Sequence, residues 1–486
     1  MREVCRRERN RHRGTPERDA SAIWGRPPEP PARSSLAKVD SAADRTTRRE
    51  ILRLAVPAFL ALVVEPLFLL ADSAIVGHLG TTSLAALGVA STALLTASGL
   101  FIFLAYATTS AVARHVGARA PGRAVSVGMD GLYLALALGA LTGAALYAAA
   151  RPISAAIGAS AATIDQAVTY LQVSALGVPS MLVILAVTGV LRGLQDTTTP
   201  LRIAAIGFPA NVALNYLFVY PLGWGIAGSA WGTVIAQTGM AVGLTAALLT
   251  LARRYDARLA PHPARVLRSA LDGIPLLVRT LALRAVLLLT VWVAAAFGDA
   301  ALAAHQVAFT IWGFLTFALD SLAIAAQALT GRSLGAGDRE GTRATTQLMT
   351  RWGLGAGVVL GAAVLAVHRV LPALFTPDPL VRETLASALV VVAVGQVVSG
   401  VVFVLDGVLI GAGDGRYLAV GMVVALAAYL PLVLWLHAAG PALVVDHGAA
   451  YGLVVLWLAF HWFMVVRGMT LWWRARGDHW MVTGTR

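Results

Sequence analysis

The composition of this 486-residue chain excludes a water-soluble enzyme. Hydrophobic residues make up 58% of the chain and charged residues only 13%, and the mean hydropathy is +0.73. Soluble globular domains carry about 25% charged residues, so this chain has too little charge to cover a water-exposed surface. The net charge is +13, and Cys5 is the single cysteine, which excludes a disulfide framework and a multi-cysteine metal site.

The first 49 residues differ from the rest of the chain. They hold 13 basic and 7 acidic residues and a cluster of prolines from Pro27 to Pro31, without an apolar core that would indicate a signal peptide. This composition predicts a disordered basic tail over residues 1–49. Its arginines either contact anionic lipid or have no role, and we expect no nucleic-acid partner.

Twelve apolar runs follow the tail, separated mostly by short connections. A membrane-spanning helix needs about 20 apolar residues, and each run is long enough. The predicted spans cover residues 52–77, 83–112, 124–149, 163–191, 200–221, 226–252, 272–297, 300–331, 342–368, 382–410, 417–437 and 449–473. With the N-terminus in the cytoplasm, seventeen arginines fall on the cytoplasmic side and three on the outer side. This asymmetry predicts that both termini are cytoplasmic.

The two halves of the chain align at a fixed offset of 218 residues. The clearest pairs are Arg114 with Arg332, Gly117 with Gly335 and Asp196 with Asp414. Each half holds six spans and so enters the membrane from the same side, which is a parallel repeat. We therefore predict an all-α integral membrane protein of twelve transmembrane helices in two six-helix lobes. The lobes are an N-lobe over 50–255 and a C-lobe over 270–475, joined by a cytoplasmic loop over 256–269 and followed by a tail over 476–486.

Four polar residues are predicted to meet at one depth in the outer half of the N-lobe. They are Asp72, Asn211, Asn215 and Thr233. Asn211 and Asn215 share one helix face because they are four residues apart. No arginine or lysine lies at that depth, and ionisable groups inside a bilayer are candidates for function. Asp72 would then bind and release a proton, or hold Na⁺ with neighbouring oxygens. Without a coupling role, Asp72 would line a wet cleft and the two asparagines would hydrogen-bond between helices.

Other charged residues in the spans have a different interpretation. Glu65, which precedes Pro66, is a candidate second acid. Four C-lobe charges at one depth are expected to form mainly structural pairs, because breaking a buried pair is costly. They are Arg279, Arg284, Asp320 and Asp406. The sequence lacks a P-loop lysine motif, HExxH, CxxC and GxSxG. We therefore expect no cofactor, no metal other than Na⁺ as a coupling ion, and no enzymatic activity.

Long segments of the chain resemble the multidrug and toxic compound extrusion (MATE) family, and within it the DNA-damage-inducible F-like branch. The matching segments span residues 50 to about 475 and include AVPAFL, ADSAIVGHLGTTSLAALGVA, GVLRGLQDTTTPL, ANVALNYLFV, ALAAHQVAF, ALDSLAIAAQALTGRSLGAGD and LDGVLIGAGD. The resemblance implies a two-lobe antiporter that exports organic, often cationic, compounds against inward H⁺ or Na⁺.

The resemblance also implies roles for individual residues. The aspartate in the first span of that branch falls on Asp72, and the hinge proline of the same span falls on Pro57. The threonine in its sixth span falls on Thr233. The Asn-x-x-x-Asp pair in the fifth span of that branch falls on Asn211 and Asn215. Many members carry aspartate where this chain has Asn215, so a Na⁺ site here would lose one negative charge. This departure favours H⁺ as the coupling ion.

We therefore expect a proton-coupled exporter that works as a monomer in the bacterial cytoplasmic membrane. The alternatives are a Na⁺-coupled version and a lipid-linked-precursor flippase, which would need a more cationic cleft. A passive channel would carry a flux that is independent of the proton gradient. An integral-membrane enzyme would need a Ser/His or His/Asp constellation at one depth, and the sequence contains none.

Overall fold

The computed structural model describes residues 33–485, with side chains over 47–64 and 66–485. This part of the chain is helical and contains no β-strand. The helices are α1 (Arg33–Gly77), α2 (Thr81–Phe101), α3 (Phe103–Gly117), α4 (Pro121–Ala148), α5 (Ala150–Ile157), α6 (Ile164–Ala175), α7 (Val178–Gly193), α8 (Thr198–Val219), α9 (Gly225–Arg254), α10 (Pro263–Ala296), α11 (Asp299–Gly335), α12 (Arg339–Val367), α13 (Pro379–Gly411), α14 (Gly415–His447) and α15 (Ala449–Arg476). The described residues from Ile51 onward form one compact unit.

Two helix starts differ from the sequence predictions. Helix α1 begins at Arg33, so residues 33–49 of the predicted disordered tail are helical, and residues 1–32 of that tail lie outside the described residues. Pro31 is the last proline before this helix, and the sequence that follows is rich in helix-forming residues. Helix α10 begins at Pro263, so the second half of the predicted loop over 256–269 is helical too.

The predicted number of membrane spans is confirmed. Eleven spans over the described residues are long and apolar enough to cross a membrane, with α2 and α3 counted as one span. The twelfth is the pair α6 and α7, which is bent by 48°. The break precedes Pro179, near the start of α7. Proline lacks a backbone N–H and cannot continue the hydrogen-bond ladder, which accounts for a bend at this position.

Helices α1–α9 make up the N-lobe and α10–α15 the C-lobe. Helix α13 is the most buried of the spanning helices and packs against α11, α12 and α15. In the N-lobe, α7 packs against α3, α4 and α9, and α8 packs against α9. The two lobes meet mainly where α3 packs against α11.

The repeat places four residues in a reciprocal contact between the lobes. Gly117 lies so close to the carbonyl oxygen of Arg332 that a Cβ atom would be 1.9 Å from it. Gly335 lies against the carbonyl oxygen of Arg114, where a Cβ atom would be 2.0 Å away. These four residues, the arginine–glycine contact, are the two pairs related by the 218-residue offset. The repeat therefore folds so that each half binds the matching part of the other.

Side-chain hydrogen bonds reinforce this end of the molecule. Arg114 Nη2 donates to the Ala412 carbonyl oxygen, and Arg332 Nη1 donates to Gln195 Oε1 at 2.6 Å. The Ser110 hydroxyl donates to the Gly411 carbonyl oxygen at 3.0 Å. These bonds lie at the end of the molecule where α3 and α11 finish. This end carries Arg114 and Arg332, and we call it the arginine-rich end. The lobes are thus closed against each other at this end.

The loop before α8 is fixed by Asp196 at the arginine-rich end. Its carboxylate accepts hydrogen bonds from the backbone N–H groups of Thr198 and Thr199 and from both hydroxyls. Partial burial raises the pKa of Asp196, but the hydrogen bonds from Thr199 and Thr198 outweigh this and hold it below its usual range. The carboxylate is therefore ionised at neutral pH and satisfies backbone donors at the helix start.

Substituting Gly335 tests the close approach of the lobes. We expect Gly335→Ala to lower the free energy of unfolding by about 1–3 kcal/mol, because its Cβ would overlap the Arg114 carbonyl and push the lobes apart. Gly355→Ala on α12 is the matched control, since a Cβ there meets nothing within 4 Å. Thermal unfolding of the two purified variants in the same detergent measures the difference. Equal melting temperatures would contradict the contact.

Candidate functional site

Asp72 is the centre of a buried polar site near the end of α1. Its side chain is enclosed, with 4% of the residue exposed. Oδ1 accepts hydrogen bonds from Asn215 Nδ2 at 2.9 Å and from the Ser229 hydroxyl, and Oδ2 accepts one from the Tyr170 hydroxyl at 3.1 Å. The carboxylate is therefore held by three donors from α6, α8 and α9, and all three donors are neutral.

Asp72 differs from the other buried carboxylates of the described residues. Three acids are buried in that part of the chain, and the other two have arginine partners. Asp130 pairs with Arg265 at 3.0 Å, and Asp406 pairs with two arginines. Burying an ionised carboxylate without a cationic partner costs free energy, unless the carboxylate binds a proton or another cation. Among these three buried acids, Asp72 is thus the one that is suited to bind and release a proton or another cation.

Helices α8 and α9 bring the amides to the carboxylate because α9 has glycine at the point of closest approach. A Cβ on Gly232 would lie 2.1 Å from Asn215 Oδ1, so a side chain there would displace the amide. One turn away, Asn211 Nδ2 donates to Thr233 Oγ1 at 3.2 Å. Both asparagines are buried.

The structure brings the four predicted site residues together in two linked pairs. Asp72 bonds to Asn215, and Asn211 bonds to Thr233. Sequence reasoning missed two donors, Ser229 and Tyr170. Ser229 had a signal, because it lies four residues before Thr233 and so shares its helix face. Tyr170 had none, because it lies on α6, and the register of α6 against α1 is set by tertiary packing.

Two buried acceptors of the site have no hydrogen-bond partner within the described residues. They are Asn211 Oδ1 and Asn215 Oδ1. Together with the Asp72 carboxylate and the hydroxyls of Ser229 and Thr233, they form a set of oxygen atoms suited to a hard cation. The described residues contain no group of three or more His, Cys, Asp or Glu side chains that would hold a transition metal.

The C-lobe lacks the charge of this site. The positions that correspond to Asp72 and Asn211 at the 218-residue offset are Thr290 and Tyr429. Their hydroxyls lie 2.9 Å apart and are hydrogen-bonded. The repeat therefore keeps a polar contact between the same two helices in both lobes, and a carboxylate only in the N-lobe.

The predicted charge pairs of the C-lobe are brought together only in part. Arg279 and Asp406 are buried and form an ion pair, and Arg467, which the sequence analysis missed, contacts the same carboxylate at 3.1 Å. Within the described residues, Arg284 and Asp320 form no ion pair. Arg284 instead lies on the C-lobe side of the lobe interface, beside Gly99 of α2.

The two remaining candidates lie on α1. Helix α1 continues through Pro57 and Pro66, and Pro57 is fifteen residues before Asp72. Glu65 lies on the same helix, but its side chain is outside the described residues.

A comparison with known families identifies the chain. The model of the MatE family matches it twice, over residues 57–217 and 275–435. The two matches are related by the 218-residue offset of the internal repeat. The chain belongs to the MatE family. It is therefore a secondary membrane transporter and not an enzyme, as the sequence predicted.

Similar proteins are found in plants, bacteria and archaea. The chain is 31% identical to Protein DETOXIFICATION 44, chloroplastic, of Arabidopsis thaliana, over 87% of this chain and 81% of that protein. It is 29% identical to DNA damage-inducible protein F of Escherichia coli, over 86% of this chain and 90% of that protein. A solved MOP superfamily transporter from Pyrococcus furiosus superposes with a TM-score of 0.77 at 22% identity, covering 88% and 95% of the two chains. That likeness shows that the fold is shared.

The geometry around Gly232 predicts a transport defect without a change in any polar side chain. We expect Gly232→Ala to lower the transport rate at least tenfold, because its Cβ would push the Asn215 amide away from Asp72. Gly239→Ala, on the same helix with nothing within 4 Å of its Cβ, should keep the parental rate. Uptake of a transported dye into inverted vesicles at matched protein levels measures both variants. The geometric account fails if the two variants transport equally well.

Proposed function

We propose that this protein exports organic cations from the cytoplasm in exchange for inward H⁺, with Asp72 as the residue that binds the coupling proton. The observation that carries the proposal is the neutral surroundings of this buried carboxylate. An acid with an arginine partner stays ionised throughout a cycle, whereas an acid held by neutral donors can change its protonation state at low cost to its neighbours.

Protonation changes what Asp72 can bind. The ionised carboxylate accepts hydrogen bonds from Asn215, Ser229 and Tyr170. The protonated acid carries a hydrogen of its own and accepts fewer bonds, so at least one donor must find another partner. The unpaired oxygens of Asn211 and Asn215 offer acceptors for the new O–H group. The change would alter the packing of α1 against α8 and α9, with Pro57 as the place where α1 bends.

Coupling requires that substrate and proton favour different states of the transporter, since a ligand shifts an equilibrium only through its differential affinity. An organic cation is favoured by the ionised Asp72 and disfavoured by the neutral acid. Proton entry from outside would therefore promote substrate release outward. A carrier of lipid-linked anionic precursors would need cations at this site, and within the described residues no arginine or lysine pairs with Asp72.

The arginine distribution supports a cytoplasmic position for the arginine-rich end and for both termini. The closed end would then face the cytoplasm, and the Asp72 site would lie toward the outside. We further propose that the protein lies in a bacterial cytoplasmic membrane, that it acts as a monomer, and that it belongs to the DNA-damage-inducible F-like branch, to whose Escherichia coli member it is 29% identical.

Na⁺ is the second candidate for the coupling ion. The two unpaired amide oxygens next to the carboxylate favour it, because a hard cation without hydrogen-bonding protons prefers oxygen ligands. The described side chains of the site include no second carboxylate, because Asn215 stands where many relatives have aspartate, and this favours H⁺.

Proton flux in inverted membrane vesicles tests the proposal. We expect a panel of organic cations to dissipate an imposed pH gradient in the parent protein, and Asp72→Asn to abolish this response at equal expression. Asp165→Asn is the matched control, because it removes a carboxylate from an exposed ion pair with Arg151 in the same lobe and should leave the response unchanged.

Two outcomes would overturn parts of the account. A substrate-induced proton flux that persists in Asp72→Asn would exclude Asp72 as the coupling acid. A response that requires a Na⁺ gradient, with none to a pH gradient, would replace H⁺ with Na⁺ at the same site.

A further inference from the structure

The last residues of the chain fold back across the arginine-rich end. Residues 477–485, the C-terminal strap, follow α15, and Trp480 and Met481 within it are buried, with 3% and 2% exposed. Trp480 Nε1 donates to the Ala475 carbonyl oxygen at 3.3 Å, and the Gly484 N–H donates to the Leu334 carbonyl oxygen at 3.0 Å. The strap is therefore packed onto the C-lobe and bonded to the end of α11.

The strap also binds an arginine of the opposite lobe. Arg114 Nη1 donates to the carbonyl oxygens of Val482 and Gly484, both at 2.9 Å. Its Nη2 donates to the Ala412 carbonyl oxygen, and the residue is 3% exposed. An N-lobe guanidinium is thus enclosed by three carbonyl oxygens of the C-lobe and strap, as a buried cation requires.

These bonds are added to the symmetric contact between the repeats. The arginine–glycine contact treats the two halves alike, with each glycine against the opposite arginine's carbonyl. The strap follows the second repeat and lies outside it. It therefore supplies Arg114 with acceptors that the repeat does not provide.

We propose that the C-terminal strap is a latch that favours the closed state of the arginine-rich end and must leave Arg114 before the lobes separate there. Because the strap continues α15 and bonds to α11, it moves with the C-lobe. Separation of the lobes carries Arg114 away from it and breaks both strap bonds. Rigid-body motion of one domain against another that breaks interface and C-terminal contacts is a known form of switching, and the latch lowers the population of the open state. This inference does not depend on the coupling ion.

Gly484 offers a substitution that acts on the strap without a steric clash. Its φ is +90°, and a Cβ there would meet no atom within 4 Å. Gly484→Val therefore strains the backbone, since a β-branched residue disfavours positive φ, while its Cβ finds open space. Gly477→Ala in the same strap is the matched control, because its φ is −82° and its Cβ would make ordinary contacts at 3.7 and 3.9 Å.

Distances between the lobes report the state of the latch. Spin labels would be attached at Arg123→Cys and Ala344→Cys, two exposed positions on opposite lobes, in a Cys5→Ser background. Electron–electron double resonance on the full-length protein in lipid nanodiscs then gives the fraction of molecules in which this end is open. A second variant that lacks residues 478–486 removes all of the strap except Gly477.

We expect Gly484→Val and the deletion to raise the long-distance population severalfold, with the deletion giving the larger rise. Gly477→Ala should match the parent. The proposal is overturned if both strap variants keep the parental distance distribution, or if Gly477→Ala shifts it as much as Gly484→Val does. Because the measurement uses neither substrate nor an ion gradient, its result is independent of the proposed H⁺ coupling.

Discussion

One buried carboxylate, Asp72, has no cationic partner within the described residues, and the proposed coupling depends on it. Placing a charge inside a bilayer is costly, and the protein meets that cost differently at its buried acids. Asp406 and Asp130 are neutralised by arginines, whereas Asp72 is held by an amide and two hydroxyls. The first arrangement fixes the charge permanently. The second stabilises the ion only in part and leaves a proton or another cation free to complete the neutralisation.

The two ends of the molecule use the internal repeat in different ways. At the arginine-rich end the repeat is preserved, and the matching residues of the two halves bind each other in the arginine–glycine contact. At the Asp72 site the repeat has diverged, with Asp72 in one lobe and Thr290 at the corresponding position of the other. Symmetry thus serves the contact that joins the lobes, and asymmetry confines the charged site to the N-lobe. The strap adds a second asymmetry at the joined end.

Much of this architecture could be predicted from the sequence because the bilayer constrains it. The spans, the repeat and the proximity of Asp72, Asn211, Asn215 and Thr233 could be predicted from hydropathy and spacing along single helices. Contacts between helices do not follow from such patterns. Tyr170 and Arg467 reach their carboxylate partners through packing that neither helix encodes alone. Arg284 and Asp320, which are expected at one depth, form no ion pair within the described residues.

The chain termini were the least predictable parts for a related reason. Residues 33–49 are polar enough to be assigned to a disordered tail, and residues 477–485 fall in a tail that follows the last predicted span. The helical start of α1 depends on local helix propensity. The burial of Trp480 depends on tertiary packing. A segment this short gives no periodic signal, although hydrogen bonds join it to both lobes.

Infrared difference spectroscopy of the protein in lipid bilayers tests the central claim most directly, because it detects the protonation of a carboxyl group without relying on flux. The account predicts that adding an organic cation substrate at constant pH removes the absorption band of one protonated carboxylic acid. That band should be absent from Asp72→Asn and retained in Asp165→Asn. A spectrum with no change in the carboxyl region, or a band that persists in Asp72→Asn, would contradict it.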